Sequence, residues 1–216
     1  MTSRKLTARI KSVTPLATGF LKVNRYELEI DRHEGGIQTG TWEVMERGHS
    51  VGVLGYDPAR DVVVLANEFR PGAFVSGDYP YTDNVVAGGV AKGESPLEAA
   101  VREMKEEAGL DLRDPQLIHP GAYVSSGGTS EKVALVCGTV DSTLAGGVHG
   151  NADEREDILT VVLPAEEFIA RARRGEITDF KTLLAAYWFA EQRRARREFA
   201  HTHAKGSHVE PPGEES

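Results

Sequence analysis

Short runs in which apolar and polar positions alternate, cut by glycine and proline, fill the first 90 positions of the chain. The segment ARIKSVTPLATGFLKVNRYELEI alternates and is rich in β-branched residues, with Pro15 and Gly19 as interruptions, and predicts strands around a turn. After the turn-like DRHEGGIQTG, the pieces WEVMER, SVGVLGY and VVVLANEFR read as successive strands, with DPARD joining the last two. KVALVCGTV and DILTVVL are later strand-like runs, and the apolar spacing turns helical at 95–108, at about 164–174 and at about 179–199. From Ala200 onward, HTHAKGSHVEPPGEES has no apolar period and carries glycine, paired proline and charge, which predicts a disordered tail over 200–216. The expectation is an α+β protein with a small N-terminal β region over 1–40 and one principal domain over 41–199.

Composition narrows the function classes. A chain of 216 residues with 40% hydrophobic residues can build one sizeable core. Its formal net charge of −8 disfavours a nucleic-acid or anionic-membrane partner, and no long apolar span or secretory leader is evident, so a cytoplasmic protein is expected. The single cysteine, Cys137, lies in an apolar run and reads as a buried strand residue, with no internal disulfide available. His201 and His203 belong to the polar tail, and no histidine is assigned to a site.

The densest chemistry lies at 88–110, GGVAKGESPLEAAVREMKEEAGL. Ser95 can cap a helix, Pro96 suits its first position, Glu98 completes a capping box and Gly109 supplies the stop. Leu97, Ala100, Val101, Met104 and Ala108 make one stripe, while Glu103, Glu106 and Glu107 project elsewhere at i, i+3 and i+4. Like charges at i,i+4 cost roughly 0.2–0.5 kcal/mol on a bare helix, and a hard divalent cation reverses that sign. Magnesium is the expected ion, with manganese as the alternative. A solvated charged face would explain the glutamates and the helix, but not Glu94, Arg102 and a glycine-containing loop at this spacing. Arg102 can pair with a neighbouring carboxylate and orient it, and the loop at 88–93 lets backbone carbonyls approach an ion.

The segment reads as G, five residues, E, seven residues, then R-E-apolar-x-E-E-x-G-apolar, nine specified positions in 23 residues, and is identified as a Nudix box. The resemblance implies an α/β/α sandwich with a mixed central sheet, and metal-dependent hydrolysis of a nucleoside diphosphate linked to another group. It implies the Ala87 carbonyl, Glu103 and Glu107 as metal ligands, with Arg102 and Glu106 among the catalytic residues and Gly89 beside the substrate.

Beyond the box, WEVMERGHSVGVLGYDPARDVVVLANEFRPG, SSGGTSEKVALVCGTVD and GGVHGNADEREDI are similar to blocks of bacterial ADP-ribose pyrophosphatases, over most of 15–195. That similarity implies Glu154 as general base and Glu156 as a further metal ligand, in a segment that would otherwise read as an exposed acidic loop. It gives Arg70 to the substrate phosphate or ribose, and Arg47 and Glu43 to the nucleotide, from a neighbouring subunit, or else to a dimer interface. Phe20 would stack on adenine, Trp42 stands where a relative carries a basic residue, and Ser125 and Glu131 belong to the substrate-side loop. The reaction implied is magnesium-dependent hydrolysis of ADP-ribose to AMP and ribose 5-phosphate by a homodimer. Ser126 departs from the proline common in SPGGTSE segments, and GEITDFKT resembles GDP-mannose hydrolases, so nucleotide-sugar cleavage is the alternative. A non-catalytic nucleotide sensor is a second alternative, against which the intact box argues.

Overall fold

The computed structural model describes residues 5–151 and 155–205, with side chains described to position 198. β1 (Ala8–Thr18), β2 (Lys22–Asp31) and β3 (Ile37–Glu46) form an antiparallel three-stranded sheet. The WEVMER segment is the second half of β3. Pairs from Glu27 with Thr41 to Lys22 with Glu46 carry the small sheet past position 40. This sheet meets the rest of the chain where the Met45 N–H donates to the Gly128 carbonyl (2.9 Å) and the Ser130 N–H donates to the Met45 carbonyl (3.1 Å). Every position of β1 is exposed.

The main sheet contains β4 (Ser50–Asp57), β5 (Val62–Phe69), β6 (Tyr81–Asn84), β7 (Val86–Gly89), β8 (Arg113–Tyr123), β9 (Lys132–Thr139), β10 (Val148–His149) and β11 (Ile158–Pro164). Its order is β10-β11-β5-β4-β9-β8, with β6 added to β5 and β7 to β4. β4 and β9 run parallel and the other pairs are antiparallel, so the sheet is mixed. A short helix α1 (Pro71–Val75) follows β5, α2 (Pro96–Ala108) follows β7, and α3 (Ala165–Arg173) and α4 (Phe180–Lys205) close the chain.

Two helical layers cover the two faces of this sheet, which is why β4 and β5 read as near-continuous apolar runs. Val64 and Ala66 of β5 pack with Ala100 and Met104 of α2, whereas Val63 and Leu65 pack with Phe168 of α3 and Phe189 of α4. The helix expected to end near 199 continues to Lys205, because no glycine or proline interrupts it before Gly206. The remainder of the expected tail lies outside the described residues. Among the described residues no helix is long and apolar enough to cross a membrane.

Candidate active site

The helix α2 is built as its sequence specifies. The Glu98 N–H donates to Ser95 Oγ (3.3 Å), the Ser95 N–H donates to the Glu98 carboxylate (2.8 Å), and Gly109 ends the helix in the left-handed region at φ 70°. Replacing such a capping serine by alanine typically costs about 1 kcal/mol. The helix is therefore fixed in register against β7, which brings two of its carboxylates inward.

Glu107 is 3% exposed, and its carboxylate accepts the Ala87 N–H at 3.1 Å. Burial pushes its carboxyl up to about 8; the Ala87 N–H opposes this, and the carboxylates of Glu68, Glu103 and Glu156 reinforce it. Glu103 is also buried, and desolvation raises its carboxyl against the pull of Arg102. Its carboxylate lies directly on Gly88, where a Cβ would fall 1.9 Å from the carboxyl carbon.

Arg102 is the hub of this layer. Its Nε donates to Glu94 (2.9 Å), its Nη1 to Glu103 (2.7 Å) and Glu106 (3.0 Å), and its Nη2 to the Gly89 carbonyl (2.8 Å) and Glu94 (3.1 Å). One guanidinium thus ties the glycine loop to the helix and orients Glu103. Glu106 itself is 56% exposed in its side chain.

The stretch at His149 and Gly150, which precedes the acidic segment, packs at the other end of α2. The Gly150 N–H donates to the Glu106 carbonyl (3.3 Å), and the His149 ring fills the space beside Gly109, where a Cβ would meet it at 2.6 Å. The Asn151 N–H donates to the Glu156 carboxylate at 2.9 Å, and the Glu156 charge is felt at Glu68, Glu103 and Glu107. Glu154, the expected general base, lies outside the described residues.

A cavity opens beside Ala87 and Gly88, walled by Arg47, Arg70, Tyr123, Glu131 and Lys181 among others. Each cation there has an acid behind it: Arg47 lies 3.7 Å from buried Glu131, Arg70 is in ion-pair contact with Glu68, and Lys181 is 2.7 Å from Asp179. Ser50 Oγ–H also donates to Glu131 (2.8 Å). Ser125 contributes its carbonyl, which accepts the Gly128 (3.1 Å) and Thr129 (3.0 Å) N–H groups and shapes the turn.

A model of the NUDIX domain matches residues 46–185. The chain belongs to the Nudix family. It is 38% identical over 146 residues to an ADP-ribose pyrophosphatase of Escherichia coli K12, covering 68% of this chain and 69% of that protein. It is 35% identical over 179 residues to an ADP-ribose pyrophosphatase of Haemophilus influenzae, covering 80% and 81%. A GDP-mannose pyrophosphatase of Pectobacterium atrosepticum is 29% identical over 175 residues, covering 78% and 90%. Among solved structures, an ADP compounds hydrolase shares the fold, with TM-score 0.68, 21% identity and coverage of 88% of this chain and 95% of that one.

The Nudix layer suits a hard cation. Glu103, Glu107 and the Ala87 carbonyl offer oxygen donors only, and of the two buried carboxylates Glu103 is paired with Arg102 whereas Glu107 accepts only the Ala87 N–H, so a bound cation would favour the charged form of Glu107. Among the described residues no three acidic or histidine side chains are already gathered into one ligand cluster.

Arg47, Arg70 and Glu131 line the cavity, Gly89 and Ser125 are chain neighbours of its lining residues Gly88 and Val124, and the other three substrate candidates are not brought to this chain's own cavity. Phe20 stands at the β1–β2 turn, 92% exposed, Trp42 lies across Gly40 on the small sheet, and Glu43 pairs with Arg25 at 2.8 Å. Conversely, Glu68, Asp179 and Lys181 belong to the site and were not singled out by sequence. The signal for Glu68 was a carboxylate ending the Val64, Ala66 alternation; that for the other two was the GEITDFKT block.

Proposed function

We propose that this Nudix enzyme hydrolyses the pyrophosphate of ADP-ribose to AMP and ribose 5-phosphate, using Mg2+, with Mn2+ as a substitute. The observation that carries the reading is the buried Glu103–Glu107 layer opening beside Ala87 and Gly88 into a cavity walled by arginines. Glu103, Glu107, the Ala87 carbonyl and Glu156 would hold the cation, which when bound neutralises phosphate oxygens and makes water a better nucleophile. Arg102 keeps Glu103 in place, and Arg70 and Arg47 present N–H groups to the phosphates and ribose. Glu154 takes the proton from the attacking water, whose oxygen bonds to one phosphorus as the bridging P–O bond breaks.

The assembly that completes the site is a homodimer in the cytoplasm. Ile10, Phe20 and Ile37 leave apolar surface on a small sheet that barely touches its own body, which supports this reading, and Phe20, Trp42 and Glu43 would serve a second copy's cavity. Light scattering should give twice the chain mass, and Phe20→Asp should raise KM for ADP-ribose.

The deciding assay incubates ADP-ribose, GDP-mannose and diadenosine polyphosphates in parallel with Mg2+ and identifies the products. ADP-ribose should give the highest kcat/KM. Preferential turnover of GDP-mannose would move the enzyme to the alternative, which has relatives at 25–29% identity. Ligand-dependent stabilisation without product would make it a sensor.

A further inference from the structure

Glu68 occupies a position that the strand pattern reserves for core. Val64 and Ala66 of β5 face α2 and Val63 and Leu65 face the opposite helices, so alternation places Glu68 on the α2 face, the side that carries Glu103 and Glu107. Its side chain is only 14% exposed. Burial raises its carboxyl, and the guanidinium of Arg70, two residues along, is the first influence that opposes the rise. Arg70 is in ion-pair contact with it and lines the cavity beside Ala87 and Gly88. Lys181 also acts on Glu68, and it is held by Asp179 at 2.7 Å.

We propose that Glu68 is a positioning residue that holds the Arg70 guanidinium on the cavity wall and keeps it off the cation-binding carboxylates of α2. A long flexible cation beside two buried carboxylates is drawn to them when it lacks an acid of its own, and there it competes with the divalent ion. With Nη2 of the planar guanidinium in ion-pair contact with Glu68, the other N–H groups are left for phosphate oxygens. Glu68 therefore serves the reaction twice, through substrate affinity and through the charge left to the metal.

The inference rests on Arg70 contacting substrate, and the test separates the two. KM, kcat and half-saturating Mg2+ for ADP-ribose hydrolysis are measured in Glu68→Ala, Glu68→Gln, Arg70→Ala and the Glu68→Ala/Arg70→Ala double variant. Mg2+ affinity is also measured by calorimetry without substrate. Glu68→Ala should raise KM about tenfold with kcat within about threefold, and Glu68→Gln, which keeps a polar oxygen beside Arg70 but removes the charge, should raise it about threefold. Mg2+ binding should weaken in Glu68→Ala and recover in the double variant, whose kinetics should match Arg70→Ala alone. Additive losses in the double variant, or unchanged KM and Mg2+ affinity in both Glu68 variants, would overturn the proposal. An unchanged KM in Arg70→Ala would instead remove the role assigned to Arg70. Should Glu68→Ala not fold, Glu68→Gln, alone and combined with Arg70→Ala, decides the matter.

Discussion

Gly88→Ala separates catalysis from folding at one atom. The added Cβ would sit 1.9 Å from the Glu103 carboxyl carbon and Oε1 and 2.2 Å from Oε2. Ordinary contact begins near 3.4 Å, so the carboxylate must retreat by about 1.5 Å, although Arg102 grips it at 2.7 Å. A misplacement of about 1 Å can cost about a hundredfold in rate, so kcat/KM should fall by about 10²-fold, or about 2.7 kcal/mol of transition-state stabilisation. The backbone gives no reason for unfolding: Gly88 is a β7 residue paired with Val51, and its φ lies outside the left-handed region. Alanine in a strand removes a glycine's entropy penalty, so Tm should stay within about 3 °C of the parent. A phosphatase-coupled assay reads the reaction, because AMP and ribose 5-phosphate yield inorganic phosphate whereas intact ADP-ribose has no terminal phosphate. Circular dichroism gives Tm, and calorimetry should show weaker Mg2+ binding. A folded Gly88→Ala enzyme with kcat/KM within about threefold of the parent would refute the assignment of Glu103 to the cation.

The metal-free protein should carry a pH signature from Glu107. Its carboxyl is raised by burial from the usual 4.5 to about 8, so the unfolded chain loses this proton first, and stability without metal should fall between about pH 4.5 and 8. Glu107→Gln should flatten that fall in a Tm-against-pH series with EDTA, while lowering turnover in Mg2+ by orders of magnitude; an unchanged slope would exclude Glu107 as its source. Arg102→Lys replaces donors to Glu94, Glu103, Glu106 and the Gly89 carbonyl with one ammonium, and should weaken Mg2+ affinity by about 10–100-fold by calorimetry. Asp57→Ala strands the Ser142 hydroxyl and the N–H groups of Ala59, Arg60 and Ser142, and should cost about 3 kcal/mol in urea titrations while the folded fraction keeps its kcat. Those bonds, Ser142 first, hold the Asp57 carboxyl below its usual 3.8, so its contribution is full above about pH 4 and is lost as the pH falls further. Parent and variant stabilities should converge in acid.

The information that the sequence carries openly is local. Ser95, Pro96, Glu98 and Gly109 specify α2 within its own span, and short, near-continuous apolar runs mark β4, β5 and β9 before any partner is known. The parallel pairing of Ser50 with Val133 is not local, and neither is the face of β5 that α2 covers, so Glu68 gained a meaning only with the layers in place. Trp42, Glu43 and Phe20 sit on a sheet whose neighbour is not written in the strand pattern. The glycines show the same limit most sharply. Gly88 was expected to act through loop freedom, yet it lies in β7 with an ordinary strand backbone, and its missing side chain is the space that Glu103 fills. Gly109 does need its positive φ, but it also makes room for the His149 ring, a residue without a site role in the sequence. The box therefore encodes more than a helix with three glutamates. Its first glycine seats the Glu103 carboxylate and its last seats His149 of β10, so β7 and β10 are both docked on α2 by what those two positions lack.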